Sequence, residues 1–371
     1  MASCWLCPSS TLVRSSFPYR LSYLRDTETF ARGIPRGTPS APVVAMASTV
    51  PSNPSGRPKA QMGSGTMRNE SSVSFMHWID KCNNGLANMY KYVPFRIKGV
   101  TVGYLDPTFA STQLGRFPDV FVYDTEEVRL HTGVEAIADL NARSDVVQDA
   151  LRQLRDEGII TGWRDELYPV LTSFEAPPVL LMERAASVHF GIKAYGVHVN
   201  GYVTRADGGM DMWVARRSKD KPTWPGRLDH IVAGGQPHGI SPTENVVKEC
   251  QEEAGIDEAL ARRAVPVGAV SYCSEYAYGL KRDVLYCYDL HLPDTFVPTA
   301  VDGEVDEFYR MPVEDIINVV KRRTEEHGDD TYKDNCNLVV IDFLVRHGLI
   351  TPETPNYLDI IRGLRPSQEL C

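Results

Sequence analysis

A short acidic segment contains the residues whose types and spacing are best suited to chemistry. Glu249, Glu252 and Glu253 stand at positions i, i+3 and i+4, so a helix there would carry them on one face. Several carboxylates on one face suit a hard cation such as Mg²⁺, which keeps water ligands and shares the phosphate oxygens of a substrate. The alternative is a solvated acidic helix face, which composition alone favours.

The neighbours of these glutamates favour the cation site. Gly234 and Gly235 permit a tight backbone turn just before the helix, where a carbonyl oxygen can join the carboxylates around an ion. Lys248 is the only basic residue between Pro242 and Ile256, so the helix itself offers few partners for the negative charge. We therefore expect a divalent cation to neutralise that charge.

Both ends of this helix carry clear signals. Ser241 and Glu244 form a capping box, Pro242 stands at the first helical position, and Gly255 is the expected C-terminal stop. Four apolar residues between these ends form one stripe, which should pack on a core: Val246, Val247, Cys250 and Ala254. The sequence therefore predicts a helix that begins at Pro242 and ends before Gly255.

The same segment resembles the Nudix box, G-x5-E-x7-R-E-U-x-E-E-x-G-U, in which U is a bulky aliphatic residue. Six positions match the pattern: Gly234, Glu249, Glu252, Glu253, Gly255 and Ile256. Two positions depart from it, because Ile240 replaces the first glutamate and Lys248 replaces the arginine. The resemblance implies that the loss at Ile240 affects loop geometry more than metal binding. Lys248 can still orient a glutamate, although as a point charge rather than a bidentate fork.

The resemblance to the Nudix family implies a hydrolase that cleaves a diphosphate linked to an organic moiety with the help of Mg²⁺ or Mn²⁺. It assigns the cation to Glu249, Glu252 and Glu253, together with the carbonyl of Gly234. It also gives Lys248 and Glu252 catalytic roles.

The resemblance implies a general base outside the box, on a later loop or helix. The acidic segment 302–308 is the best candidate, and Glu304 is our choice within it. Glu307 is the second choice and Glu275 the third. The other interpretation is that this segment merely caps the helix that follows it.

A basic segment ahead of the glycine pair is a candidate for binding the outer phosphates. We assign this role to Arg216, Arg217 and Lys221, since an acidic protein needs local positive charge to bind an anion. The alternative is a solubilising hairpin edge.

A longer part of the sequence is similar to a narrower group within the family. Residues 190–202, 225–229 and 247–250 resemble the plant chloroplast Nudix hydrolases 20 and 24 and the Nudix portion of the yeast thiamine pyrophosphokinase. That group carries an N-terminal domain of unassigned function. The resemblance implies hydrolysis of thiamine diphosphate, and preferentially of its oxidised oxo and oxy analogues, to the monophosphate and phosphate.

Three other functions stay open. Nudix hydrolases of nucleotide-linked diphosphates, such as ADP-ribose or nucleotide sugars, share the box. An isopentenyl diphosphate isomerase shares the fold but should carry a cysteine before the box, and residues 190–240 contain none. A catalytically inactive Nudix domain would bind its ligand without cleaving it.

The elements that must position these residues indicate an α/β fold. Four strands and three helices predict a mixed α/β sandwich: strands over 195–203, 210–216, 267–271 and 283–290, and helices over the acidic segment, 313–321 and 337–346. The resemblance implies that this is the Nudix α/β/α sandwich with a mixed sheet. A smaller α+β domain precedes the sandwich. We place the two domains at 70–185 and 190–350, followed by a C-terminal tail at 351–371.

The first 60 residues are interpreted as a transit peptide and a disordered linker. They are rich in serine, arginine and proline, and their only acidic residues are Asp26 and Glu28. This composition predicts a chloroplast protein, whereas an extension without an address is the alternative. Initiation at Met46 would give a cytosolic form.

Overall composition bounds the partners. The net charge of −9 argues against nucleic acid, and no apolar run approaches the roughly 18 residues that a membrane span needs. We therefore expect a small-molecule diphosphate as the partner, and a homodimer stays open.

The eight cysteines lack paired spacings and are interpreted as reduced thiols. Four histidines lack metal-ligand spacing and are interpreted as ordinary surface or loop residues: His189, His198, His230 and His238.

Overall fold

The computed structural model describes residues 75–366 of the chain. The predicted transit peptide and linker at 1–60 lie outside the described residues, as does the end of the predicted C-terminal tail. Within residues 75–366, no helix combines the length and the apolar character that crossing a membrane requires.

The N-terminal part of the described chain contains short helices and two small sheets. Its elements in chain order are α1 (Met76–Cys82), β1 (Val93–Ile97), β2 (Val100–Leu105), α2 (Pro107–Thr112), β3 (Phe121–Tyr123), β4 (Val128–Leu130), α3 (Thr132–Glu135), α4 (Leu140–Asp156), β5 (Leu167–Val170) and β6 (Leu180–Glu183). One sheet has the strand order β2-β1-β4-β3, and β5 pairs with β6 in the other. The buried face of α4, which includes Val147, Leu151 and Leu154, packs in the core of this part.

The C-terminal part is built around one large sheet. Its elements in chain order are β7 (Lys193–Thr204), β8 (Met210–Arg217), β9 (Leu228–His230), β10 (Val232–Gly235), α5 (Pro242–Ala254), α6 (Glu258–Ala261), β11 (Val265–Tyr276), β12 (Gly279–His291), β13 (Val305–Pro312), α7 (Val313–Val320), α8 (Thr324–His327), α9 (Asp334–Arg346) and α10 (Tyr357–Gly363). The main path is β11-β12-β7-β8-β13, with β10 beside β7 and β9 beside β8. Strands β12 and β7 are parallel and their neighbours antiparallel, which confirms the predicted mixed sheet.

Helices cover both faces of this sheet, as expected for a sandwich. Side chains alternate between the faces of a strand, so Val197 and Val199 of β7 share one core with the apolar stripe of α5. The other core joins Leu285 of β12 to helices α7, α9 and α10. The predicted α/β/α sandwich preceded by a smaller domain of helices and strands is confirmed.

Two segments differ from the sequence interpretation. The acidic segment 302–308 runs into strand β13, which pairs with β8, so it does more than cap the following helix. The predicted tail contains α10, whose Ile360 is fully buried in the same core as α9.

Helix α1 belongs to the core of the large sheet, although it precedes the N-terminal sheet in the chain. Trp78 is fully buried there, and its indole N–H donates to the carbonyl of Val320 at 2.7 Å. We predict that Trp78→Ala lowers the free energy of unfolding by about 3–5 kcal/mol, because it leaves a large cavity and an unpaired carbonyl. Urea unfolding followed by circular dichroism measures this change. Tyr90→Ala is the control, since Tyr90 is 82% exposed, and equal stability of both variants would contradict the assignment.

Candidate active site

Helix α5 is oriented by the signals at its ends and by its apolar stripe. Ser241 accepts the N–H of Glu244 at 3.2 Å, and Gly255 ends the helix with φ at 62°. The Glu244 carboxylate pairs with Arg262 at 3.1 Å instead of returning to the cap, so only half of the predicted capping box forms. Burial of the stripe turns Glu249 and Glu253 toward strand β10.

Glu253 is the most deeply buried of the predicted cation ligands. It is 8% exposed, and its Oε2 accepts the N–H of Ala233 in β10 at 2.9 Å. Burial raises the pKa of Glu253 well above its ordinary value, and the charges of Glu249 and Glu304 raise it further. Since a buried carboxylate is costly unless an opposite charge compensates it, this position is suited to a cation.

Glu249 lies against the backbone of Gly234. A Cβ atom at position 234 would collide with the carboxylate carbon of Glu249, so only glycine allows β10 and α5 to approach this closely. Burial raises the pKa of Glu249, although the ammonium of Lys248 opposes the shift. The two predicted ligands therefore share a confined space beside one strand.

Lys248 bridges two glutamates on the more exposed side of the helix. Its Nζ lies 2.5 Å from Oε2 of Glu252 and 3.3 Å from Oε1 of Glu249. The Glu252 side chain is half exposed, in contrast to the buried Glu253. Lys248 is thus placed to orient the Glu249 carboxylate, as a point charge can.

Glu304 lies in the loop just before β13 and acts electrostatically on Glu249 and Glu253. Its charge raises the pKa of both Glu249 and Glu253, and these three residues are called the carboxylate cluster below. Burial acts to raise the pKa of Glu304, but the ion pair with Lys221, at 2.5 Å, and the charges of Arg217 and Arg184 together outweigh it and hold the pKa below the ordinary value. The carbonyl of Glu304 also accepts the N–H of Ser218 at 2.8 Å.

The two other candidates for a general base are engaged elsewhere. Glu307 accepts the hydroxyl of Tyr309 at 2.7 Å. Glu275 accepts hydrogen bonds from Asn88 at 2.6 Å and Tyr92 at 3.0 Å, in the segment that links α1 to β1. Among the three candidates, Glu304 is the one whose charge acts on Glu249 and Glu253.

Arg217 is held by the loop that follows strand β8. Its guanidinium donates to Asp229 at 2.7 Å and to the carbonyls of Thr223 and Trp224 at 3.0 and 3.1 Å. All three of its nitrogens are therefore used within the protein. This engagement could not be seen from the cluster of basic residues in the sequence.

Arg216 is equally engaged, on the opposite face of the strand. It donates to the hydroxyl of Tyr309 at 3.0 Å, to the carbonyl of Gly226 at 2.9 Å and to Asp330 at 2.9 Å. Of the three basic residues predicted to bind phosphates, Lys221 is the one that forms an ion pair with a carboxylate of the cluster.

Three of the four histidines interpreted as surface or loop residues are buried: His189, His198 and His230. The interpretation is wrong for His198 and His230, which lie in strands β7 and β9. Their Nδ1 atoms lie 3.1 Å apart, and the thiol of Cys336 donates to Asp229 at 2.9 Å. Ligand-type atoms of these four residues lie within 4.8 Å of one another. Because each is already engaged in a hydrogen bond, the group is explained as a polar network that supports Asp229, the partner of Arg217.

Residues of the N-terminal part also reach the glycine pair, and sequence reasoning missed them. A Cβ atom at Gly235 would collide with the hydroxyl of Tyr168 in β5. The guanidinium carbon of Arg184 lies 5.7 Å from the centre of the Tyr168 ring, and its charge helps to lower the pKa of Glu304. No spacing rule could have found them, because Tyr168 and Gly235 lie in different domains.

A small recess opens on the face of the sheet that α9 covers. It is lined by aromatic and charged side chains and by one thiol: Cys82, Trp224, Tyr272, Ser274, Tyr276, Lys281, Lys333, Asp334 and Asn335. Tyr272 donates its hydroxyl to Asp283 at 2.5 Å, and the charge of Asp283 acts on both Tyr168 and Arg184.

Two family models match this chain. A domain of unknown function, DUF4743, matches residues 74–194. The NUDIX domain matches residues 194–334, which contain the whole carboxylate cluster.

Three curated proteins are similar over most of the chain. This chain is 48% identical over 294 residues to Nudix hydrolase 24, chloroplastic, of Arabidopsis thaliana. The aligned residues cover 79% of this chain and 78% of that protein. The chain is 47% identical over 300 residues to Nudix hydrolase 20, chloroplastic, of the same plant, with the same two coverages. An uncharacterized protein of Saccharomyces cerevisiae is 35% identical over 267 residues, which are 66% of this chain and 73% of that protein.

The raised pKa values of Glu249 and Glu253 predict a pH-dependent stability in EDTA. These carboxyls bind protons more tightly when folded, so their contribution is fully present below the ordinary value of 4.5 and is lost as pH rises through the raised pKa. We expect Mg²⁺ or Mn²⁺ to raise the unfolding temperature, and more strongly near neutral pH than near pH 5. Thermal unfolding followed by circular dichroism measures both effects.

Because other carboxylates also titrate, the comparison is made between two variants. Glu253→Gln should remove much of the loss of stability with rising pH and most of the response to the cation. Glu258→Gln, at an exposed residue of the next helix, should keep both. Identical pH profiles for the two variants would contradict the role assigned to Glu253.

Proposed function

The chain belongs to the Nudix hydrolase family, and from this premise we propose that it hydrolyses thiamine diphosphate, and preferentially its oxidised oxo and oxy analogues, to the monophosphate and phosphate. Family membership makes it a hydrolase that acts on diphosphate bonds. The observation that carries the proposal is the carboxylate cluster, in which Glu249 and Glu253 are confined beside Gly234.

Glu249 and Glu253 are proposed to hold Mg²⁺ or Mn²⁺, with Glu252 and the carbonyl of Gly234 as further ligands. The residues fit such an ion, because carboxylate oxygens are its preferred ligands and the hydrogen bond that Glu253 accepts comes from a backbone N–H rather than a basic side chain. When bound, the ion neutralises charge on the phosphates and makes water a better nucleophile. Lys248 keeps the Glu249 carboxylate oriented from the exposed side.

Glu304 is proposed as the base that accepts a proton from the attacking water. Its lowered pKa keeps it ionised at neutral pH, as a base must be before the reaction. A phosphate group that pairs with Lys221 would weaken the ion pair between Lys221 and Glu304. The pKa of Glu304 would then rise, which makes it a stronger base once substrate is present.

Lys221 is proposed to bind a substrate phosphate directly, whereas Arg216 and Arg217 position the loop that carries it. Both arginines use their guanidinium nitrogens to hold backbone carbonyls and carboxylates around residues 223–229. Within the described residues, Lys221 forms one ion pair, with Glu304 of the cluster, and its side chain is 20% exposed. The loop therefore delivers one cation to the phosphate and keeps it there.

The chloroplast is proposed as the location. Two relatives that share nearly half of their aligned residues with this chain are named chloroplastic. The serine- and arginine-rich composition of residues 1–59 supports the same address.

The substrate proposal predicts the outcome of a direct screen. With Mg²⁺, we expect release of phosphate from thiamine diphosphate, and a higher kcat/KM for oxythiamine diphosphate. Glu253→Gln should lower kcat/KM about a hundredfold or more, because the variant lacks one charge that holds the cation. Glu258→Gln should retain full activity. Phosphate release by a coupled assay measures all of these rates.

Two results would contradict different parts of this proposal. Turnover of ADP-ribose or a nucleotide sugar without turnover of any thiamine compound would reject the substrate and leave the reaction class intact. Full activity of Glu253→Gln on any diphosphate would reject the cation site.

The location is tested with fusions to a fluorescent protein in leaf cells. Residues 1–60 should direct the fusion into chloroplasts, and a fusion that begins at Met46 should stay in the cytosol. A cytosolic signal from both fusions would contradict the transit peptide.

A further inference from the structure

Strand β5 of the N-terminal domain is hydrogen-bonded to the loop that follows the glycine pair of strand β10. The N–H of His238, in the loop between β10 and α5, donates to the carbonyl of Leu167 at 3.1 Å. The hydroxyl of the next residue, Tyr168, lies so close to Gly235 that any side chain there would collide with it. Gly234, one residue earlier, is the position that lies against Glu249.

Tyr168 in turn supports Arg184. The guanidinium carbon of Arg184 lies 5.7 Å from the centre of the Tyr168 ring, whose hydroxyl is at Gly235. Arg184 also pairs with Glu166 through Nη1 at 2.8 Å, and its backbone N–H donates to the carbonyl of Glu166 at 2.8 Å. Arg184 and Gly235 therefore contact the same tyrosine side chain, Tyr168.

The donors of Arg184 are only partly used. Within the described residues, Nη1 is the one nitrogen of its guanidinium that makes a hydrogen bond, and the side chain is 44% exposed. Arg216 and Arg217 differ, because all their nitrogens are engaged. A planar guanidinium with free N–H groups is the side chain best suited to bind a phosphate through two parallel hydrogen bonds.

We propose that Arg184 of the N-terminal domain binds a phosphate of the substrate, with Tyr168 as the positioning residue beneath it. The inference rests on the proposed diphosphate hydrolysis, since it assigns one of the groups that hold the diphosphate. The charge of Arg184 reaches the carboxylate cluster, as its effect on Glu304 indicates. Arg184 and Lys221 would therefore act on the same anion from two different domains.

This assignment gives the N-terminal domain a function. That domain, matched by a family model of unknown function, supplies part of the phosphate site rather than a separate activity. Substrate binding would then draw the guanidinium of Arg184 away from Glu166, or share it between the two anions. The N-terminal domain would be required for turnover even though the cation ligands all lie in the Nudix domain.

The test compares two variants that break the same ion pair from opposite sides. Arg184→Gln removes the charge that binds phosphate, and KM should rise on the order of tenfold to a hundredfold with a smaller change in kcat. Glu166→Gln breaks the pair but leaves the arginine, so KM should stay within about twofold or fall. Arg184→Lys should recover part of the affinity because it restores the charge without the fork.

Arg152→Gln is the matched control for an arginine of the same domain. Its side chain is 47% exposed and pairs with one acid, Asp149, so it resembles Arg184 in both respects. Thermal unfolding of all four variants shows whether folding is retained. A KM for Arg184→Gln equal to that of Arg152→Gln, or an equal rise in Glu166→Gln, would overturn the proposal.

The assay is run on whichever diphosphate the wild-type protein hydrolyses, so a failure of the thiamine assignment does not decide the result for Arg184. If the wild-type protein hydrolysed neither the thiamine compounds nor ADP-ribose nor nucleotide sugars, the proposed function would fail. Calorimetric titration with inorganic pyrophosphate and Mg²⁺ would still compare the same variants. Binding that is weakened by Arg184→Gln and not by Glu166→Gln supports the proposal, and equal binding by both overturns it.

Discussion

Burial of negative charge beside a glycine strand is the constraint on which this structure depends. Glu253 loses most of its contact with water, and Glu249 and Glu304 add charge of the same sign nearby. A carboxylate cluster of this kind is costly unless cations approach it. Lys248 and Lys221 form ion pairs at its edges, and the charges of Arg184 and Arg217 also act on Glu304. Gly234 allows Glu249 to pack directly against β10, and the loop that carries Lys221 brings a cation to Glu304.

The two domains share packing and hydrogen-bond contacts. Helix α1 precedes the N-terminal sheet, yet it fills the core under the large sheet, and strand β5 is hydrogen-bonded to the loop that precedes α5. Gly235 has no room for a side chain because Tyr168 occupies that space, just as Gly234 has none because of Glu249. Gly234 therefore permits a contact within the Nudix domain on one face of the sheet, and Gly235 permits a contact with the N-terminal domain on the other face.

Local signals explain what could be predicted from the sequence. The cap at Ser241, the stop at Gly255 and the carboxylate spacing are properties of neighbouring residues, so the helix and its glutamates were predictable. The roles of Arg216 and Arg217 were not, since adjacent residues of a strand point to opposite faces and their partners are distant in sequence. Tyr168, Arg184 and the buried histidines likewise depend on contacts between segments that spacing does not relate.

The position of α1 has a consequence for how the chain matures. The indole of Trp78 donates to the carbonyl of Val320, which is synthesised 242 residues later. Helix α1 also packs on α9 and α10 near the C-terminus. At ribosomal speeds of about 5–20 residues per second, its apolar face stays unpaired for roughly 10–50 s after synthesis. The core that contains α1 is thus completed only after α9 and α10 have been synthesised, and the apolar face of α1 needs protection from aggregation until then.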